Sequence, residues 1–251
     1  MSAPFRSLLS WLALPVYVWQ GIGVRRRSIR MHPPKGPVRH IIEGEGDAIR
    51  LMVLGDSSAA SVGIEQADRG LAAQLAGMIA ERTGRPVTWR AAGFNSATSG
   101  QIRDHVLPNL AADDWTHIVL AVGTNDAKNF HSGPRFKKEF GGLLYALRAK
   151  WPEARVVWSP VIEMARVPAL PPLLGKVLEI RAAILNDIGH RLCLERGAVP
   201  ADRLPIVDPA AGFSRDGFHA SEAGYRAWAE HLIGIVFAEE LRTDCRGSAP
   251  R

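Results

Sequence analysis

Three short runs in this 251-residue chain hold residue types that can do chemistry together: Gly55-Asp56-Ser57, Gly123-Thr124-Asn125-Asp126 and Asp216-Gly217-Phe218-His219. A serine hydroxyl is a weak nucleophile at neutral pH and needs a base to take its proton. His219 is the candidate base. Asp216, three residues earlier, is placed to hold one ring nitrogen, fix the tautomer and stabilise the imidazolium. Attack by Ser57 on an acyl carbon creates an oxyanion, which needs donors set in advance. The Ser57 backbone N–H is one candidate, Gly93 N–H a second because glycine lets the backbone approach closely, and the Asn125 side-chain amide a third. Each residue also has a plainer reading: Ser57 as a helix N-cap, Asn125 as a turn residue, His219 as a surface histidine before a helix. Asp56 reads as a structural acid bracing its turn. His131 and Lys128, just after the asparagine run, are candidates for the mouth of the site.

These runs need a scaffold that brings distant positions to one edge. The apolar run Ile49 to Leu54 predicts a first strand ending at Gly55, so Ser57 would stand in the crevice where open α/β sheets keep their ligands. Leu71, Leu75, Met78 and Ile79 have the spacing of one helix face within Gly70 to Thr83, and Gly84 and Pro86 end that helix. Val87 to Ala91 reads as a second strand, Ser99 to Leu110 as helix, and His117 to Val122 as a fully apolar third strand covered on both faces. Arg135 to Lys150 reads as helix, Ala154 to Trp158 as a fourth strand, and Lys176 to Glu195 as a long helix. Leu204 to Val207 is a candidate last strand, and Ser221 caps a final helix to about Leu241. Strand and helix alternating in this way predict a parallel sheet with helices on both sides. The greasy, proline-rich stretch 160–176 is expected as a lid or as one wall of an acyl pocket.

The formal charge of +6 is unevenly placed. Residues 1–40 carry Arg6, Arg25, Arg26, Arg27, Arg30, Lys35 and Arg39 and no acid, so the remainder carries a net −1. Nucleic acid is therefore not an expected partner, since a phosphate-tracking protein needs its charge spread over the folded face. Ser7 to Val24 is apolar apart from Ser7, Ser10 and Gln20 and is closed by Arg25-Arg26-Arg27. Aromatic residues beside a polybasic cluster suit an interfacial anchor on anionic lipid, with packing onto the domain as the alternative. If the segment spans, its C-terminal arginines would keep the domain in the cytoplasm, so the expected location is cytoplasmic, on the inner face of the membrane. The expected division is a leader over 1–30, a Pro/Gly linker over 31–46, one α/β domain over 47–242 and a polar tail over 243–251. Cys193 and Cys245 make no disulfide framework, and no paired-Cys or His-Glu-x-x-His run predicts a metal; no cofactor is expected. The turn after the first strand lacks both glycine-rich nucleotide-binding spacings.

With the motifs in this order, the chain resembles the GDSL, or SGNH, hydrolase superfamily from about Ile49 to Leu241. Its four blocks are matched by Ser57, Gly93, Asn125, and Asp216 with His219. Ser58 stands where the name motif has leucine, and Ala92 where an asparagine often precedes the block glycine. The resemblance implies a three-layer, flavodoxin-like α/β fold with a central parallel sheet. It also implies metal-free ester hydrolysis by a Ser57–His219–Asp216 triad with an oxyanion hole of Ser57, Gly93 and Asn125. The leader ending in Gln20-Gly21 and arginines is similar to that of lysophospholipase-like esterases. The expected partner is a small-molecule or lipid ester, with a medium-chain acyl group favoured. Carbohydrate O-deacetylation and a membrane-tethered binding module without turnover are the alternatives.

Overall fold

The computed structural model describes residues 3–238. In chain order the elements are α1 (Ala3–Leu12), α2 (Leu14–Arg27), β1 (Arg39–Ile42), β2 (Ile49–Gly55), α3 (Leu71–Thr83), β3 (Val87–Gly93), α4 (Ser99–Gln101), β4 (His117–Ala121) and α5 (Thr124–Lys128). Then follow α6 (Gly133–Lys150), β5 (Arg155–Ser159), α7 (Pro172–Glu195), β6 (Val199–Pro200), α8 (Pro209–Gly212) and α9 (Glu222–Val236). The six strands lie in the order β1-β3-β2-β4-β5-β6, all parallel except β1 at one edge. This is an α/β fold with a mostly parallel central sheet flanked by helices.

Side chains alternate across the central strands, and each face buries its own core. Met52, Leu54, Ile118, Leu120, Val156 and Trp158 face α6 and α7, where Phe136 and Phe140 stack with ring centroids 5.1 Å apart. Leu51, Val53, Val119 and Val157 face α3 and α9. Because both faces are covered, β2 after Arg50 and β4 after His117 read as unbroken apolar runs, and they hold the Gly55 and Ala121 ends side by side.

Several elements depart from the sequence expectation. The stretch 31–46 is not only a linker: Arg39–Ile42 forms an edge strand antiparallel to β3, with Arg39 opposite Arg90. Four residues among glycines and prolines carry too little pattern to announce a strand. The helix expected over Ser99–Leu110 is broken: one turn of α4 gives way to a wide turn over Ile102–Val106 and a tight one over Leu107–Asn109, where Pro108 has no N–H to continue a helix. Leu204–Val207 is not a strand. The last strand is the two-residue β6, and Pro205 could not have donated to a ladder. The helix expected from Lys176 begins at Pro172, a residue suited to the first turn because no intrahelical acceptor awaits its missing N–H. The end of the last helix toward Leu241, Cys245 and the tail 243–251 lie outside the described residues. Cys193 is buried in the α7 layer, and burial pushes its thiol up to about 12, so it is no nucleophile.

The leader is two helices bent by 56°, and both dock on α7. The anchor is Arg181, a buried arginine whose guanidinium lies against the rings of both Trp11 and Phe130, 5.4 and 4.6 Å from their centroids, while the two rings meet edge to face. Its guanidinium donates to Ser10 Oγ at 3.2 Å and to the carbonyls of Phe130 and His131. Arg6 pairs with Asp187 at 3.1 Å, and Gln20 accepts from Leu174 N at 3.0 Å. Removing one partner from such a buried polar set leaves desolvated groups unmatched. Arg181→Met is expected to lower stability by about 3 kcal/mol, read as a shift of the urea midpoint, and to open residues 1–30 to limited proteolysis.

Candidate active site

The run after β2 turns sharply because its backbone bonds back on itself: Ala60 N donates to Asp56 O and Val62 N to Ser57 O, at 3.2 and 3.0 Å. Ser61 takes φ +57° within it, and Tyr225 OH, deep in α9, donates to Val62 O at 2.8 Å. Burial, and then the carboxylates of Asp56 and Asp216, raise that phenol's pKa, so Tyr225 stays a donor. The turn projects Ser57 from the carboxyl end of β2. Its N–H, unlike those of Ser58, Ala60, Ser61 and Val62, has no acceptor among the described residues.

A second turn, ahead of α9, carries Asp216 and His219. Asp216 Oδ1 accepts from Phe218 N, His219 N and Ser214 Oγ at 2.9, 3.0 and 2.9 Å, and Oδ2 meets His219 Nδ1 at 2.6 Å. Burial works against this carboxylate, but the hydrogen bonds from His219 and Phe218 outweigh it and hold Asp216 well below the usual carboxylate range. With Nδ1–H given to the carboxylate, Nε2 is an acceptor, and it lies 3.1 Å from Ser57 Oγ. The two turns touch at Gly63. This residue has φ +115°, and a Cβ there would sit 2.3 Å from Ala220 O and 3.0 Å from His219 Cβ. Only glycine fits both the backbone angle and the approach.

Asp56 faces inward from the Ser57 turn. Its Oδ1 accepts from Ser58 N at 2.9 Å, and Oδ2 meets Asn125 Nδ2 at 3.4 Å. Burial raises its pKa to about 6, against the lowering effect of the Ser58 hydrogen bonds, Lys128 and His219. Asn125, at the start of α5 beyond β4, also donates to Ala97 O at 3.0 Å. Lys128, half-buried and with its pKa lowered by burial, holds Nζ 5.3 Å over the Phe218 ring, beside His219.

The structure thus brings Ser57, His219 and Asp216 into one hydrogen-bonded chain and sets Asn125 beside the same turn. Gly93 ends β3 opposite Gly55, and a Cβ on it would lie 1.9 Å from Ala60 N. Its glycine has a packing reason, since β3 must lie against the Ser57 turn, and it does not line the cavity below. The loop residue that touches the Asn125 amide is Ala97, next to Ser96 at φ +63°, a non-glycine in the left-handed region that sequence reasoning had no signal to find. His131 is not at the mouth. It is buried, with Nδ1 between Asp126 and Glu139 at 3.3 and 3.2 Å. Asp126, His131 and Glu139 are the one set among the described residues with the make-up of a metal site, and they stand apart from the cavity.

Beside Ser57 opens a cavity of about 260 Å³. Ile162, Met164 and Val167 give it one side, Leu204 and Ile206 another, and Trp228 and Ser159 its floor, where Trp228 Nε1 bonds Ser159 Oγ at 2.9 Å. The stretch 160–167 is a wall, pinned from behind. Asn186 exchanges two 2.9 Å hydrogen bonds with the Val161 backbone, Glu179 accepts from Met164 N at 2.8 Å, and Arg203 joins Glu179 to the Val161 and Ile162 carbonyls. Arg203 was not legible as a site residue, because nothing in its local sequence says which loops it ties.

Residues 53–227 match the model of the GDSL-like Lipase/Acylhydrolase family. The chain belongs to that family. It is a family of carboxylic ester hydrolases, so the activity class is that of a GDSL lipase/acylhydrolase. Among solved structures, the chain is similar to a family 3 carbohydrate esterase from Clostridium thermocellum, with a TM-score of 0.62 and 15% identity over 78% of this chain and 98% of that one. It is also similar to a lipase/acylhydrolase from Enterococcus faecalis (TM-score 0.56, 19% identity, 76% and 96% covered) and to phospholipase A1 from Streptomyces albidoflavus (0.54, 15%, 77% and 100%). At these identities the likeness is one of fold, and the three differ in their named substrates. No curated protein sequence matches the chain.

Asp56 gives this GDSL-family site a pH signature. Its pKa is near 6 folded and near 4 unfolded, so between those values the native state keeps a proton that the unfolded chain has lost. Stability from this group is complete below about 4 and is lost as pH rises through 6, by roughly 3 kcal/mol. Asp216 runs the other way, and what it contributes is lost below about 4, as pH falls toward its depressed value. Urea unfolding across pH 4 to 7 is expected to give a falling limb in the wild type that is absent in Asp56→Asn.

Proposed function

We propose that the chain hydrolyses lipid-like esters or thioesters with a medium-chain acyl group, through an acyl-enzyme on Ser57. The observation that carries this is the unbroken line from Asp216 Oδ2 through the His219 ring to Ser57 Oγ, at 2.6 and 3.1 Å. His219 Nε2 takes the hydroxyl proton as Ser57 attacks the acyl carbon, and Asp216 stabilises the imidazolium. The proton then goes to the leaving oxygen or sulfur. Water, deprotonated by the same nitrogen, releases the acid. The oxyanion is met by the free Ser57 N–H and by the Asn125 amide proton that turns to it from the long 3.4 Å contact with Asp56, the other proton staying on Ala97 O.

The acyl preference rests on the cavity. Its side chains are aliphatic or aromatic around Ile162, Met164, Val167, Leu204 and Ile206, so a methylene chain is desolvated there without an unmatched polar group. A sugar hydroxyl array would find few partners on those walls, and this favours the lipid-like ester over the sugar acetate.

Ser57→Ala is expected to abolish turnover of p-nitrophenyl esters, and Asp216→Asn to lower kcat by about 10³ to 10⁴ with little change in KM. A fluorophosphonate should label the wild type and leave Ser57→Ala unlabelled. Ile162→Trp is expected to shorten the preferred acyl chain, read as a fall in kcat/KM for octanoate but not for acetate esters. Full activity in Ser57→Ala, or an unchanged chain-length profile in Ile162→Trp, would reject the corresponding part.

A further inference from the structure

The leader is folded inside out. In a surface helix of a globular protein the apolar stripe faces the core and the polar residues face water. Here Phe5, Leu8, Leu9 and Leu12, at the i, i+3, i+4, i+7 spacing of one helix face, are all exposed. So are Pro15, Val18, Trp19 and Ile22, which repeat the same spacing on α2. Four polar side chains of the two helices bond to the protein instead, Arg6 to Asp187, Ser10 to Arg181, Tyr17 OH to Lys128 O at 2.5 Å, and Gln20 to Leu174 N, while the arginines that end α2 stay outside. Nine of the sixteen exposed large hydrophobic side chains among the described residues fall between Phe5 and Ile29, with Leu12 at 70% and Trp19 at 73% exposure. A patch so concentrated marks an interaction surface.

Charge identifies the occupant. Arg25, Arg26, Arg27 and Arg30 follow the stripe and are all exposed, and residues 1–40 contain no acid. A second copy of this chain would bring the same positive face against it. An anionic bilayer offers acyl chains to the stripe and phosphates to the arginines at once. We propose that α1 and α2 form a preassembled foot by which the protein lies on an anionic membrane surface. The foot is joined to the cavity through one intervening residue, Lys128. Lys128, whose carbonyl receives Tyr17, reaches over Phe218, which lines the cavity next to His219. The bearing of this on substrate, that it is an ester embedded in or leaving a membrane, rests on the hydrolase reading; the binding itself does not.

The test is co-sedimentation of the full chain with phosphatidylglycerol-containing and pure phosphatidylcholine vesicles, together with Trp fluorescence. The protein is expected to sediment with the anionic vesicles, less so in high salt, with a blue shift of its emission. The combined change Leu8→Glu, Leu12→Glu, Trp19→Glu is expected to abolish sedimentation, and its circular dichroism and melting temperature report whether the fold survives. Arg25→Ala, Arg26→Ala, Arg27→Ala together are expected to weaken anionic-vesicle binding by about a hundredfold. Ser57→Ala should bind as the wild type does, so failure of the hydrolase reading leaves this result standing. Equal sedimentation of the triple glutamate variant, absence of binding by the full chain, or a dimer in light scattering that the glutamates dissolve would each overturn the proposal.

Discussion

The site depends on the close approach of two turns that are 162 residues apart in sequence. One follows β2 and presents Ser57; the other precedes α9 and presents His219. Their backbones meet where Gly63 leaves no room for a side chain against the His219–Ala220 peptide. That contact, rather than any attraction between the two side chains, fixes how far Nε2 stands from Oγ. A hydrogen bond of 3.1 Å contributes little net free energy in water, so it could not draw two loops together by itself. The loops have to be built to meet. Tyr225 reaching from α9 to Val62 and the isolated pairing of Phe213 with Ala220 brace the two sides of the junction.

Much of this was legible because it is local. The strands read at 49–54, 87–91 and 117–122 come within two residues of their observed ends at Gly55, Gly93 and Ala121, and a parallel sheet brings such ends to one edge. Asp216 and His219 share a turn, so their contact is a matter of three residues. What stayed hidden was carried by contacts with no local pattern. Gly63 looks like any loop glycine until Ala220 is placed against it. Ser96 gives no notice of a left-handed backbone, and Leu204 and Ile206 read as a strand because cavity walls and strands both need apolar residues. Periodicity marks residues that avoid water; it does not say which surface they meet.

The leader shows the same limit from the other side. Its sequence is apolar nearly all round, so a membrane anchor and a packed segment were both open. The structure packs it, through Arg181 and the hydrogen bonds of Ser10, Tyr17 and Gln20, and still leaves an apolar stripe outside. The few polar residues decided the orientation, because each buried donor had to find an acceptor while leucines on the outer face faced no such requirement.

Helix α7 joins these two halves of the molecule. On one face it holds the leader through Leu174, Arg181 and Asp187. From another it holds the cavity wall through Glu179 and Asn186, with Arg203 closing the frame. Close packing allows such a helix little independent movement of its faces, since Gly189 lies directly against the Trp158 ring on the sheet side. The wall that shapes the acyl cavity and the segment that offers an apolar stripe are therefore set by one rigid element.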